Sequence, residues 1–172
     1  MNLSRAGVVV IGIGNTVRSD DRLGILALQR LGERCQQRSD VELVEGGTAG
    51  LLLLPYLAAA RHAIIVDAIN VGRVPGTLIR FADASGRFRS GLTPHEVGLS
   101  DLLDAARLTD AWPEKLVIHG IQPASTAIGT ELTPSVAAAL EPLVDAVEAE
   151  LTGWGYASVS LVLARAGGGR AC

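Results

Sequence analysis

Residues 8–14 read Val-Val-Val-Ile-Gly-Ile-Gly, and an amphipathic pattern follows from Leu23 to about Cys35. A short, apolar, β-branched run is typical of a strand that is buried on both faces of a parallel sheet. In the segment that follows, most apolar side chains recur at helical spacing, which predicts a helix with one buried face. Strand, glycine-rich turn and helix in this order indicate the first unit of an α/β sheet, with residues 8–11 as a central strand.

Strand and helix patterns alternate along the rest of the chain. Strands are predicted at residues 41–45, 63–66, 77–81 and 116–121, and helices at residues 51–59, 93–108 and from 133 onward. This alternation predicts an α/β fold in three layers, with a mostly parallel twisted sheet of about five strands and helices on both faces. Pro142 is expected to kink or divide the last helix near Leu140, and residues 156–163 suggest a final edge strand.

The length and charge of the chain favour one soluble domain. Its 172 residues predict a single domain over residues 1–163 and a flexible tail of small residues at 164–172. The net charge of −3 is spread without blocks, so nothing favours nucleic acid or a membrane surface as a partner. Residues 51–60, the longest apolar stretch, are about half the length that spans a bilayer. Cys35 and Cys172 lack zinc-site spacing, and we expect a cytoplasmic protein.

Four polar side chains fall where the predicted strands and helices meet. In open α/β sheets, ligands bind beyond the carboxyl ends of the strands. Asp20 and Asp21 follow the first turn, Asp67 closes the third strand, and His95 is the second residue of a helix that Thr93 caps.

Each of these residues also has a purely structural interpretation. Either aspartate of the pair can complement a helix dipole, Asp67 can cap the turn at Ala68 or Ile69, and His95 can be a surface histidine. Together, an aspartate of the Asp20-Asp21 pair, Asp67 and His95 form a set of oxygen and nitrogen ligands that suits zinc or nickel. His62, at the start of a strand, and His119, inside one, are expected to be structural.

Two glycine-rich turns bear on the class of reaction. The first, Gly12-x-Gly14, lacks the third glycine of the dinucleotide-binding fingerprint, since Val17 stands at that position. The second consists of Gly46, Gly47, Thr48, Ala49 and Gly50; it can serve turn geometry alone or admit an extended peptide backbone. Nucleophile-elbow and phosphate-loop motifs are absent from the sequence. Metal-assisted hydrolysis is the reaction class that remains compatible with these motifs.

Several segments, in order, resemble the hydrogenase maturation proteases, which trim the C-terminal extension from the large-subunit precursor of a nickel–iron hydrogenase. These segments are Gly12-Ile13-Gly14-Asn15 through Asp20-Asp21 and Gly24, residues 46–50, Val66-Asp67-Ala68, residues 94–99, residues 120–123 and Leu132-Thr133-Pro134. The matching segments lie within residues 7–150.

The resemblance implies that Asp21, Asp67 and His95 are both the metal-binding and the catalytic residues. It implies that the metal is nickel supplied by the precursor, that zinc or cadmium can replace it in vitro, and that residues 46–50 receive the substrate backbone. The implied partner is the large-subunit precursor, and we expect a monomer. Arg22 departs from the family pattern, which has a small residue there, and can either pair with Asp21 or reach outward to the precursor.

Two other functions remain open from the sequence. One is a Rossmann-like nucleotide-binding or regulatory module that uses the Gly12 turn. The other is a metal-dependent hydrolase that acts on a different protein.

Overall fold

A computed structural model of the chain describes residues 7–34, 40–83, 97–156 and 163–165. These residues form one six-stranded sheet in the order β4-β5-β3-β1-β2-β6. The strands are β1 (Val8–Ile13), β2 (Val41–Gly47), β3 (His62–Ala68), β4 (Leu78–Asp83), β5 (Lys115–Ile121) and β6 (Leu163–Arg165). Only the β4–β5 pair is antiparallel in this sheet. The predicted α/β fold, with a mostly parallel sheet of about five strands, is confirmed.

Helices cover both faces of the sheet. They are α1 (Leu23–Arg34), α2 (Leu54–Ala59), α3 (Val97–Leu108) and α4 (Pro134–Gly153). Val8 and Val10 of β1 belong to the core layer beneath α1 and α4, whereas Val9 and Ile11 belong to the layer beneath α2 and α3. Because side chains alternate across a strand, a strand covered on both faces must be apolar at every position. Among the described residues, every helix is too short or too polar to cross a lipid bilayer.

The helix α4 is continuous, so the predicted division near Leu140 is wrong. Pro142 lies inside α4 and is exposed, whereas Leu140, Leu143 and Val144 are buried against the core. Packing of this buried face outweighs the one backbone hydrogen bond that proline removes on the solvent side.

Two other boundaries differ from the sequence prediction. The strand β3 continues through Asp67 to Ala68, because both residues pair with β5. The last strand, β6, begins at Leu163, where the sequence predicted it to end; it therefore includes Ala164 and Arg165 of the predicted tail. Residues 157–162 lie outside the described part of the chain.

Gly24 allows α1 to begin directly against the sheet. A Cβ atom at Gly24 would lie 2.2 Å from the carbonyl oxygen of Ile13 and 2.3 Å from that of Val66. Only glycine fits at such a distance from two strands. This close approach places the short 3₁₀ turn Asp20–Arg22, which precedes α1, beside the carboxyl ends of β1 and β3.

Candidate active site

A cleft of about 200 Å³ opens at the carboxyl ends of the central strands, the edge that the sequence predicted. We call it the carboxylate cleft. Its lining residues are Ile13, Gly14, Asp21, Gly47, Thr48, Gly50, Asp67, Ala68, Asn70, Gly98, Pro123 and Thr126. Two of the three predicted metal ligands therefore lie in one cleft, together with part of the predicted peptide-binding turn.

Asp20 and Asp21 have different roles although they are neighbours. Asp20 is fully buried, and its carboxylate accepts four hydrogen bonds from the segment between β5 and α4. The donors and their distances are Ala124 N at 2.8 Å, Ser125 N at 2.9 Å, Thr133 N at 2.7 Å and Thr133 Oγ1 at 2.9 Å. Thr133 is the N-cap residue of α4, but its hydroxyl donates to Asp20 instead of capping the helix. Asp20 therefore fixes the loop that contributes Pro123 and Thr126 to the cleft.

Asp21 is half-buried and lines the carboxylate cleft. Its Oδ2 accepts a hydrogen bond of 3.1 Å from Asn15 N. Its Oδ1 has no hydrogen-bond partner among the residues that the structure describes. Asp21 thus presents a carboxylate oxygen that is available to a ligand. It also lies in the 3₁₀ turn that leads directly into α1, so it can complement the helix dipole as well as bind a ligand.

Asp67 is 5% exposed and lines the same cleft from β3. Its Oδ1 accepts a hydrogen bond of 2.7 Å from Ala68 N, so the capping interaction expected from the sequence is present. Capping and ligand binding are compatible here, because a carboxylate has two oxygens and about four lone-pair sites.

The third predicted ligand, His95, lies outside the described residues, as do Thr93, Pro94 and Glu96. Within residues 7–34, 40–83, 97–156 and 163–165, no group of three His, Cys, Asp or Glu side chains could hold a metal ion. The two carboxylates therefore need a further ligand, from the substrate or from elsewhere in the chain, to complete a metal site.

The turn at residues 46–50, which we call the glycine loop, lines two cavities. Gly47, Thr48 and Gly50 line the carboxylate cleft, and Gly46, Gly47, Thr48 and Ala49 line a more open groove of about 620 Å³. A Cβ atom at Gly47 would meet nothing within 4 Å, but one at Gly46 would lie 3.1 Å from the Gly12 carbonyl oxygen. The loop thus serves both turn geometry and open access to the cleft.

The first glycine turn packs against the protein itself. Gly14 has a φ of +138°, and a Cβ atom there would lie 1.8 Å from the Asp21 carbonyl oxygen. Its N–H donates to the Gly47 carbonyl oxygen at 2.9 Å. This glycine is needed to join the Asp21 turn and the glycine loop, so it gives no support to a nucleotide phosphate site.

Both described histidines lie in structural surroundings, as the sequence predicted. Burial, together with the nearby Lys115 and Arg61, lowers the pKa of His62, whose Nδ1 lies 3.0 Å from the Tyr156 hydroxyl. His119 is 3% exposed, with Nε2 3.4 Å from Glu150 Oε2, and burial lowers its pKa. Burial alone would raise the pKa of Glu150, but the pairing with Arg80, at 2.8 and 3.0 Å, and with His119 lowers it.

The structure adds cleft residues that the sequence reasoning missed: Asn70, Gly98 and Thr126. Asn70 follows the end of β3 by two residues, which is a signal that could have identified it. Arg22 makes no ion pair or hydrogen bond with the described side chains, and its Nε is buried. The predicted alternative in which Arg22 pairs with Asp21 is therefore not observed.

Comparison with known proteins identifies the family. The family model described as hydrogenase maturation protease matches residues 25–150. The chain is 37% identical over 147 residues to the hydrogenase 2 maturation protease of Escherichia coli, covering 84% of this chain and 90% of that protein. It is 36% identical over 152 residues to the hydrogenase expression/formation protein HoxM of Cupriavidus necator, covering 86% and 75%.

A solved structure supports the same assignment. The hydrogenase maturating endopeptidase HybD from E. coli matches with a TM-score of 0.79 and 36% identity, over 87% of this chain and 94% of that chain. Fold and sequence agree, and the chain belongs to the hydrogenase maturation protease family.

Proposed function

We propose that this protease removes the C-terminal extension from a nickel-loaded large-subunit precursor of a nickel–iron hydrogenase. The observation that carries the proposal is that Asp21 and Asp67, from separate elements, line one cleft beside the glycine loop. Carboxylates brought together from distant parts of a chain are suited to bind a cation. In this proposal the cation is the nickel of the substrate, and the protease cleaves only a precursor that carries it.

Asp21 and Asp67 are the proposed protein ligands of the precursor's nickel. Each carboxylate accepts a backbone hydrogen bond, Asp21 from Asn15 N and Asp67 from Ala68 N, which helps to fix its orientation. Such supporting hydrogen bonds hold a carboxylate in place for metal binding. His95 is the proposed third ligand, since a histidine near a helix N-terminus is favoured as the neutral imidazole that binds metal. Zinc or cadmium would occupy the same ligands in vitro.

The glycine loop is the proposed site for the substrate main chain. Gly47, Thr48 and Gly50 leave one wall of the cleft without large side chains. A peptide in extended conformation can approach such a wall closely. Nickel would polarise the scissile carbonyl or activate water, and Asp21 or Asp67 would act as general base. The enzyme would act as a monomer in the cytoplasm.

Cleavage of purified, nickel-loaded precursor, followed by mass spectrometry of its C-terminus, tests this function. The wild-type protein should remove a short extension, and Asp67→Asn and His95→Ala should each slow cleavage about 100-fold or more, the scale at which removing one group that stabilises the transition state acts. Leu108→Ser is a matched control, because Leu108 is 86% exposed at the end of α3. Cleavage by both site variants at the control rate would refute the assignment. Cleavage of an unrelated protein instead would indicate a hydrolase with another substrate.

A further inference from the structure

A buried glutamine behind the cleft fixes the orientation of a neighbouring amide. Gln122 follows β5 and is 4% exposed. Its Oε1 accepts hydrogen bonds from Val71 N at 2.9 Å and Arg73 N at 3.0 Å. Because both partners are N–H donors, the atom that faces them must be the carbonyl oxygen. The Nε2 of Gln122 therefore points the other way.

The next amide in this chain of hydrogen bonds is that of Asn70. Gln122 Nε2 donates to Asn70 Oδ1 at 2.9 Å and lies 3.3 Å from the Pro123 carbonyl oxygen. Gly72 N also donates to Asn70 Oδ1, at 3.2 Å. Both partners of this Asn70 atom are donors, so the same reasoning assigns it as oxygen. The Nδ2 of Asn70 is the opposite branch of the amide, and no described residue accepts a hydrogen bond from it.

Asn70 is exposed and lines the carboxylate cleft together with Asp21 and Asp67. Ionised carboxylates only accept hydrogen bonds, whereas a peptide substrate also presents carbonyl oxygens that need a donor. A donor whose orientation is fixed before binding costs little to order when the substrate arrives.

We propose that Asn70 Nδ2 donates a hydrogen bond to a main-chain carbonyl oxygen of the peptide substrate. Gln122 is then a positioning residue, which acts through Asn70 without touching the substrate. This inference rests on the proposed protease function and adds a substrate-binding residue to it.

Two substitutions at Asn70 separate the donor from other effects. Asn70→Asp keeps an oxygen for Gln122 and Gly72 but replaces the Nδ2 donor with an acceptor. Asn70→Leu removes the donor without adding charge. Both should lower kcat/KM for the nickel-loaded precursor about tenfold or more, the scale of one substrate hydrogen bond. Asn70→Asp should leave the melting temperature nearly unchanged, whereas Asn70→Leu should lower it, because Gln122 Nε2 and Gly72 N lose their acceptor; the rates are therefore compared well below both melting temperatures. If Asn70→Leu cleaves at the wild-type rate, the proposal is wrong, and a loss confined to Asn70→Asp would then reflect only its added charge.

A double-mutant cycle tests the role of Gln122. Gln122→Met should lower kcat/KM when Asn70 is present, but should cause no further loss beyond about twofold in the Asn70→Leu background. Equal losses in both backgrounds would show that Gln122 acts independently of Asn70 and would overturn its assigned role. Wild-type cleavage is the reference: if the wild-type protein cleaves nothing, the proposed function fails together with this inference, whereas a wild-type rate for Asn70→Leu defeats this inference alone.

Discussion

Replacing Asp20 with asparagine should destabilise the fold, whereas replacing Asp21 with asparagine should leave stability nearly unchanged and abolish cleavage. In Asp20, Oδ2 accepts three hydrogen bonds and Oδ1 accepts one, all from donors in the segment between β5 and α4. An asparagine can offer its oxygen at only one of these two positions, so its NH₂ group must face at least one N–H donor. Because the side chain at position 20 is fully buried, Asp20→Asn places an NH₂ donor there that has no acceptor in either orientation.

The cost of Asp20→Asn can be estimated from these contacts. An unpaired buried donor costs about 1–3 kcal/mol, and the remaining hydrogen bonds lose roughly half their strength when the acceptor is no longer charged. We expect the free energy of unfolding to fall by about 3 kcal/mol, which is a large share of the roughly 5–15 kcal/mol of a typical domain. With a urea m-value of about 2 kcal/mol/M, the unfolding midpoint should shift by about 1.5 M.

Asp21→Asn should leave stability nearly unchanged and abolish cleavage. Asp21 is half-buried and accepts one hydrogen bond, from Asn15 N, which an amide oxygen can also accept. We expect a change within about 0.5 kcal/mol in the free energy of unfolding and a loss of about 100-fold or more in precursor cleavage. Urea denaturation and the mass-spectrometric cleavage assay measure both quantities. Equal destabilisation by the two substitutions, or an Asp20→Asn midpoint equal to that of the wild type, would refute this division of roles.

Three further substitutions or conditions test other parts of the structure. Gly24→Ala should destabilise the fold by about 1–3 kcal/mol through overpacking, because the new Cβ would meet two strand carbonyls. Gly153→Ala is the control and should not destabilise the fold, because its Cβ would have nothing within 4 Å. Equal urea midpoints for the two variants would contradict this prediction. Because burial lowers the pKa of His119 from 6.5, the unfolded chain takes up the proton first, so stability should fall as the pH drops below about 7. His119→Gln should reduce that slope without abolishing it, because the pKa of His62 is lowered as well; an unchanged slope in urea titrations at pH 7.5 and 5.5 would show that His119 does not contribute to it. Arg22→Ala should lower cleavage of the cognate precursor relative to non-cognate precursors, because Arg22 makes no ion pair with Asp21 and the interpretation that remains is that it reaches outward to the precursor; an unchanged preference would contradict this.

The sheet could be predicted from the sequence because its strands carry strong local signals. The strand β1 is apolar throughout, and β3 is apolar from Ala63 to Val66, which is the pattern that burial on both faces requires. Strand ends were less certain, since β3 extends through Asp67 by pairing with β5, a neighbour that is distant in sequence. The continuity of α4 through Pro142 likewise depends on tertiary packing that no local pattern records.

The candidate site was predictable only in outline. The position of Asp21 and Asp67 at one sheet edge follows from the rule for parallel strands. The separate role of Asp20 could not be predicted from that rule. Its partners are more than 100 residues away along the chain; they are Ala124, Ser125 and Thr133. The alignment of Asn70 by Gln122 also depends on a long-range contact. His95 remains a prediction from the sequence and from the family resemblance.

The discrimination between nickel-loaded and nickel-free precursor tests the central claim most directly. Both forms of one purified precursor would be incubated with the wild-type protein, and the mass of each C-terminus would be followed over time. If Asp21 and Asp67 bind the nickel of the substrate, only the nickel-loaded form should lose its extension. Adding nickel to the nickel-free form should then restore cleavage. Equal cleavage of both forms by the same enzyme would contradict the account, because the cleft carboxylates would then serve hydrolysis without recognising the metal.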